Sequence, residues 1–161
     1  MDADRTQSGY GAASAPGKSA NRNQRQMGQR RPRYVAAVNV ALWIAAIAAA
    51  AMSFYAAMNK MAVPKDKLVR QGVGTRWAED FSAGQIRAIG AVEAVGALGL
   101  ILPQATGIAE VLTPIAAVGL IVLQFGAIAT HLRRREAIIL PVNLVLVALL
   151  LFVAIGRFAG K

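Results

Sequence analysis

The sequence predicts an all-α fold: a polytopic membrane protein whose four transmembrane helices form a bundle behind a disordered, basic N-terminal tail. The first observation is where the charges lie. Windows 35–58, 82–102, 107–132 and 138–158 each reach the length of about 20 residues that a bilayer core demands. Of the 18 basic and 8 acidic residues, they contain only Arg87, Glu93, Glu110 and Arg157. The second is composition: 56% of the residues are hydrophobic and 16% charged, against about 25% charged in a soluble domain. The third is the absence of period-two alternation in windows rich in Ala and Leu, which excludes a membrane barrel.

The chain divides at residue 34. Residues 1–34 are built from Ser, Gly, Gln, Asn, Ala and Arg and cannot supply a core, so they are expected to be disordered. Arg5, Lys18, Arg22, Arg25, Arg30, Arg31 and Arg33 lie in this tail, and its partner is expected to be anionic lipid headgroups. Tyr10 is its only aromatic away from the membrane edge, which argues against nucleic acid. The apolar run that follows is too extended for a signal-peptide core, so the first helix is expected to be retained. Residues 35–158 form the transmembrane domain.

Helix 1 carries Ala37, Ala41, Ala45, Ala49 and Ser53 four residues apart, a stripe of small side chains that admits a close neighbour. Tyr34 is placed to anchor it at the interface. Pro64 ends helix 1, and residues 64–70 suit a short interfacial turn. Ser82 is the expected N-cap of helix 2, whose end is marked by Pro103. Thr113 and Pro114 mark either the start of helix 3 or a kink in it. Pro141 falls in the first turn of helix 4.

With four spans both termini share a side. The tail and C-terminus hold nine basic residues, the first and third loops eight, and the second loop none. That near balance leaves the positive-inside rule undecided. A cytoplasmic N-terminus is favoured only because moving a long basic tail across the membrane is the harder event.

Several chemistries are excluded. The chain has no cysteine and one histidine, which removes disulfides, thiolate metal sites, iron–sulfur clusters and thiol redox centres. It contains no phosphate-binding loop, nucleophile elbow or paired-histidine motif. No catalytic residue and no metal ligand set is therefore predicted.

Polar residues inside spans are costly and mark function or packing. Glu93 and Gln124 fall near the midpoints of helices 2 and 3. Arg87 and Asn143 lie about 7–10 Å from the midplane, towards the side of the first and third loops, with His131, Tyr55, Asn59 and Lys60 nearer that surface. Glu93, Arg87, Gln124, Asn143 and His131 thus form a candidate polar site, a vestibule opening beside those loops. Arg87 lies about 120° around the helix from Glu93, so Glu93 requires a partner from another helix, either Gln124, Asn143 or an interfacial cation, or a proton.

Several stretches carry a resemblance: Val63-Pro64-Lys65-Asp66-Lys67-Leu68, Trp77-Ala78-Glu79-Asp80-Phe81-Ser82 and Ile89-Gly90-Ala91-Val92-Glu93. Then come Gly96-Ala97-Leu98-Gly99-Leu100-Ile101-Leu102-Pro103, Leu112-Thr113-Pro114-Ile115-Ala116-Ala117, His131-Leu132-Arg133-Arg134 and Val153-Ala154-Ile155-Gly156-Arg157-Phe158. Together they resemble the DoxX-like family of small four-helix bacterial membrane proteins, over roughly residues 34–158. Arg135 departs from the resemblance, because that loop position is commonly glycine in similar sequences. The resemblance implies the bacterial inner membrane and an accessory, non-catalytic subunit of a membrane complex, with quinone as the cofactor such complexes use. At most the chain would be a subunit of a membrane oxidoreductase, with other membrane or redox proteins as partners. The competing expectation is a small proton-coupled transporter, or a lipid- or small-molecule-binding protein, that uses Glu93.

Overall fold

A computed structural model describes the backbone of residues 17–72 and 74–160, and the side chains of these residues from Tyr34 onward. The helices are α1 (Gly17–Ala62), α2 (Lys65–Arg70), α3 (Ala83–Thr106), α4 (Leu112–Arg133) and α5 (Leu140–Ala159), with 3-10 turns at Arg76–Asp80 and Ala137–Ile139. No strand occurs among the described residues. Four segments are long and apolar enough to cross a membrane: Tyr34–Ala62, Ala83–Thr106, Leu112–Arg133 and Ala137–Ala159. The chain is a multi-pass membrane protein.

The tail expected at residues 1–34 falls, for 1–16, outside the described residues. From Gly17 the backbone is helical. Arg, Gln, Met and Ala favour the helix that continues back from the apolar segment, while Gly28 and Pro32 within it oppose it. The span itself still begins at Tyr34.

Local signals set most other boundaries. The Ser82 hydroxyl accepts from the Gln85 backbone N–H at 3.2 Å while the Gln85 side chain accepts from the Ser82 N–H at 2.8 Å, a reciprocal cap that starts α3. Pro103 does not end this helix. It is buried inside α3, which continues to Thr106, because a membrane helix tolerates proline when neighbouring helices cover the freed carbonyl. The stop is Gly107, left-handed at φ 68°. Residues 107–111 are a turn, so α4 starts at Leu112 with Pro114 in its first turn, and the kink is not formed. Pro141 occupies the first turn of α5.

Within Asn39–Lys161, α3 packs along α4 and α4 along α5. On α1, Ala45, Ala49 and Ser53 of the predicted stripe are buried, joined by Leu42, Ala46, Ala50 and Ala57. Ala37 and Ala41 are exposed. The α1–α3 contact depends on Gly90: a Cβ there would lie 2.9 Å from the Ala57 carbonyl oxygen, so any side chain would push the two backbones apart.

That contact also shows how α1 ends. Gly90 lies seven residues into α3, about 10 Å along its axis, yet it faces Ala57, Lys60 and Met61 in the last turns of α1. The C-terminus of α1 is therefore recessed below the start of α3. The first loop folds into the space as a cap, with its own core of Leu68, Ala78 and Ile86 flanked by Val63, Val69, Trp77 and Phe81.

Candidate functional site

A cavity of about 580 Å³ lies beneath the cap, within the range of small-molecule sites. It draws Ser53, Tyr55, Asn59 and Lys60 from α1, and Ile89 and Glu93 from α3. From α4 come Leu120, Leu123, Gln124 and His131, and from α5 Val142, Asn143 and Leu146. Leu68, Trp77 and Phe81 roof it. The wall is mostly apolar with a few convergent polar groups. Tyr55 and Val122, at the rim, are 76% and 66% exposed. Both belong to segments long and apolar enough to cross a membrane, so the rim opens on the outer face of those helices.

Glu93 is buried, and its partner comes from another helix. The Lys60 ammonium donates to both carboxylate oxygens, at 2.8 Å to Oε2 and 3.0 Å to Oε1. Lys60 also sits 5.6 Å from the centroid of the Trp77 ring, close enough for a cation–π contact. Its place one turn from the end of α1 suggested the membrane surface. The recess of α1 and the cap over it bring Lys60 inside instead. An ammonium bonded to both carboxylate oxygens makes this pair tolerable in a low-dielectric interior, where either charge alone would be costly.

Four of the five predicted site residues line this cavity: Glu93, Gln124, Asn143 and His131. Arg87 does not. It is exposed and makes no hydrogen bond or ion pair among the described residues. The angle that separates it from Glu93 on the helix turns it away from the interior, so the candidate site loses Arg87 and gains Lys60.

His131 is buried rather than interfacial, 6% exposed. Its Nδ1 lies 2.8 Å from Oε2 of Glu136, itself buried. The turn ending α4 makes this possible. Arg135 adopts φ 58°, and the Glu136 N–H donates to the His131 carbonyl at 2.9 Å while Arg135 N–H donates to Leu132. This is the left-handed helix stop that glycine adopts without strain, and it folds Glu136 back against the histidine.

On the cavity wall two buried groups lack partners among the described residues, one of them, Ser53, outside the predicted site. The Ser53 hydroxyl and Asn143 Nδ2 are buried, line the cavity and have no hydrogen-bond partner. Buried polar groups are normally paired, and these two are not. Among the described residues, no three His, Asp or Glu side chains converge as metal ligands.

The cap is tied to the third loop. Asp80 accepts from Arg133 at 2.6 Å and from Arg134 at 2.6 Å, and Glu79 also pairs with Arg134. The Glu79 hydrogen bond, with the nearby Asp80 and Glu136 charges, pushes the Arg134 guanidinium above its already high ordinary pKa. At the opposite end of the bundle Arg157 donates to Asn39 Oδ1 at 2.9 Å and lies over the Trp43 ring.

No curated protein and no solved structure matches the chain. Residues 43–153, well over half of the sequence, match the model of the DoxX-like family. That stretch contains α3, α4, the cap and every residue named above around the cavity, and on this match the chain belongs to the DoxX-like family.

Proposed function

We propose that this DoxX-like protein is an accessory subunit of a bacterial inner-membrane complex, and that its cavity receives a bilayer-soluble molecule with a polar ring head and an apolar tail. Quinones are the cofactor class that fits this description. The observation carrying the reading is the pair of unpartnered buried donors, Ser53 Oγ and Asn143 Nδ2, in an otherwise apolar cavity. Such donors suit ring carbonyl oxygens, and leaving them unsatisfied costs about 1–3 kcal/mol each. Leu120, Leu123, Val142 and Leu146 would hold the tail. The rim at Tyr55 and Val122 favours entry from the lipid. A quinone, when bound, would supply two-electron chemistry. This chain has no cysteine, so thiol-borne electrons would have to come from a partner protein.

In this reading the N-terminus is cytoplasmic and its basic segment lies against anionic headgroups. The cap and cavity then occupy the opposite side of the membrane. The test is equilibrium binding of a short-chain quinone to the purified chain in lipid nanodiscs. Asn143→Leu should weaken binding about tenfold, the effect of one hydrogen bond to a buried group. Binding unchanged by Asn143→Leu combined with Ser53→Ala would overturn the reading.

A second reading, proton-coupled transport with Glu93 as coupling acid, is favoured by the placement of that carboxylate near mid-span on the cavity wall. Against it stands the engagement of both carboxylate oxygens by Lys60. Proteoliposome flux that follows a pH gradient and stops in Glu93→Gln would reverse the preference.

A further inference from the structure

Glu136 attracts no attention as a loop residue, yet it sets which nitrogen of the cavity's only imidazole carries a proton. An ionised carboxylate only accepts, so beside an ionised Glu136 the Nδ1 at 2.8 Å carries the hydrogen that lies between them. In the neutral ring Nε2 is then an acceptor, and it makes no hydrogen bond among the described residues. The other polar groups on the wall include the donors Ser53 Oγ, Asn143 Nδ2 and the Lys60 ammonium, beside the Asn59 and Gln124 amides, which both donate and accept. Glu93 is already held by Lys60. The cavity thus has donors on α1 and α5 and an oriented acceptor at the end of α4.

Few charges compete for this pair. Arg134 Nε lies 3.8 Å from Glu136 Oε1, beyond hydrogen-bond distance, and that guanidinium is held by Glu79 and Asp80 of the cap. From α5 the cavity receives Asn143, which is uncharged, and the turn at Ala137–Ile139 has no charged residue. The remaining charges on the wall are Lys60 and Glu93, which neutralise each other.

We propose that the His131–Glu136 pair is the hydrogen-bond-accepting end of the cavity and selects a ligand head bearing a hydroxyl group, of the phenol or hydroquinone class. The inference rests on the reading of the cavity as an amphipathic-ligand site and adds the chemistry of one end of the head. The ligand O–H donates to Nε2, Nδ1–H donates to Glu136, and no covalent bond is broken. His131 and Glu136 are specificity residues: the first touches the ligand and the second acts through the first.

The experiment uses the full chain in nanodiscs with two probes of one shape, a decyl-substituted hydroquinone and its dimethyl ether. Wild type is expected to bind the hydroquinone about tenfold more tightly, the worth of one hydrogen bond to a buried group. Glu136→Leu and His131→Phe are expected to bring the two affinities to within about twofold, chiefly by weakening the hydroquinone. Because the chain has one histidine, nitrogen NMR of the wild-type imidazole reads the tautomer directly, whether or not the variants fold. The Nδ1–H form is expected, with the Nε2 resonance moving when hydroquinone is added. An Nε2–H tautomer, or equal affinity of wild type for both probes, overturns the selection inference alone. Failure of both probes to bind removes the ligand reading and this inference with it.

Discussion

In the half of the bundle nearest the α3–α4 turn, Ala45, Ala49, Ala97, Leu100, Ala117 and Leu150 fill the interior, while at the level of Glu93 the same helices line an open volume of about 580 Å³. Helix number and direction are common to both halves, so neither explains the difference. In the closed half small residues meet across each interface. In the open half α1 stops short of the start of α3, and a folded loop roofs the gap. The contrast teaches that a cavity in a small bundle needs no extra helix, only one recessed helix and a cap with its own apolar core.

The sharpest way to break the open half is to unpair its buried charges. Lys60→Met alone should destabilise the protein by about 3–5 kcal/mol, because it strands Glu93 in the interior. Lys60→Met with Glu93→Leu should recover most of that loss. Thermal unfolding in detergent reads both, and a double variant as unstable as the single would show that the pair has some role beyond mutual neutralisation.

Side-chain enlargement separates the halves next. Ala49, fully buried in the closed half, should accept Leu only at a cost of about 1–3 kcal/mol. Ala127→Phe, directed at the cavity wall, should leave the melting temperature nearly unchanged and abolish probe binding. Equal destabilisation by both would remove the distinction between filled and open interior.

Smaller effects come from the tie between cap and third loop. Arg134→Ala should cost little stability, since exposed ion pairs are weak. High salt should reduce this difference by screening. Arg134 has its pKa raised by Glu79, so its share of stability is present below its ordinary value and lost only at still more alkaline pH. Across any usable pH range, salt rather than base is the agent that loosens it. Smallest of all is Arg87→Gln, expected within about 0.5 kcal/mol of wild type and without effect on binding, since the side chain faces away from the cavity.

Much of this was readable from residue patterns. Four apolar windows imply four spans because lipid offers no partner for charge or free backbone groups. Ser82, Pro114 and Pro141 mark helix starts through local hydrogen bonding and ring geometry alone. Glu93 and Gln124 share a level, with Asn143 nearer one face, because rise per residue is constant, and their convergence on one vestibule follows from depth. Pro103 misled because a break in water need not be a break inside a packed bundle. Residues 107–111 misled because an apolar turn has the hydropathy of a span.

By itself the sequence determined the helical class, the number of spans and the side on which polar residues gather, all consequences of local geometry and of transfer from water to lipid. The tertiary structure decided which of those residues meet. Lys60 rather than Gln124 or Asn143 became the partner of Glu93, because α1 ends below the start of α3 and its last turn packs on Gly90. Glu136 became the partner of His131 through one left-handed residue at Arg135. Such pairings depend on helix offset and on the path of the chain between helices, neither of which is encoded in the periodicity of any single segment.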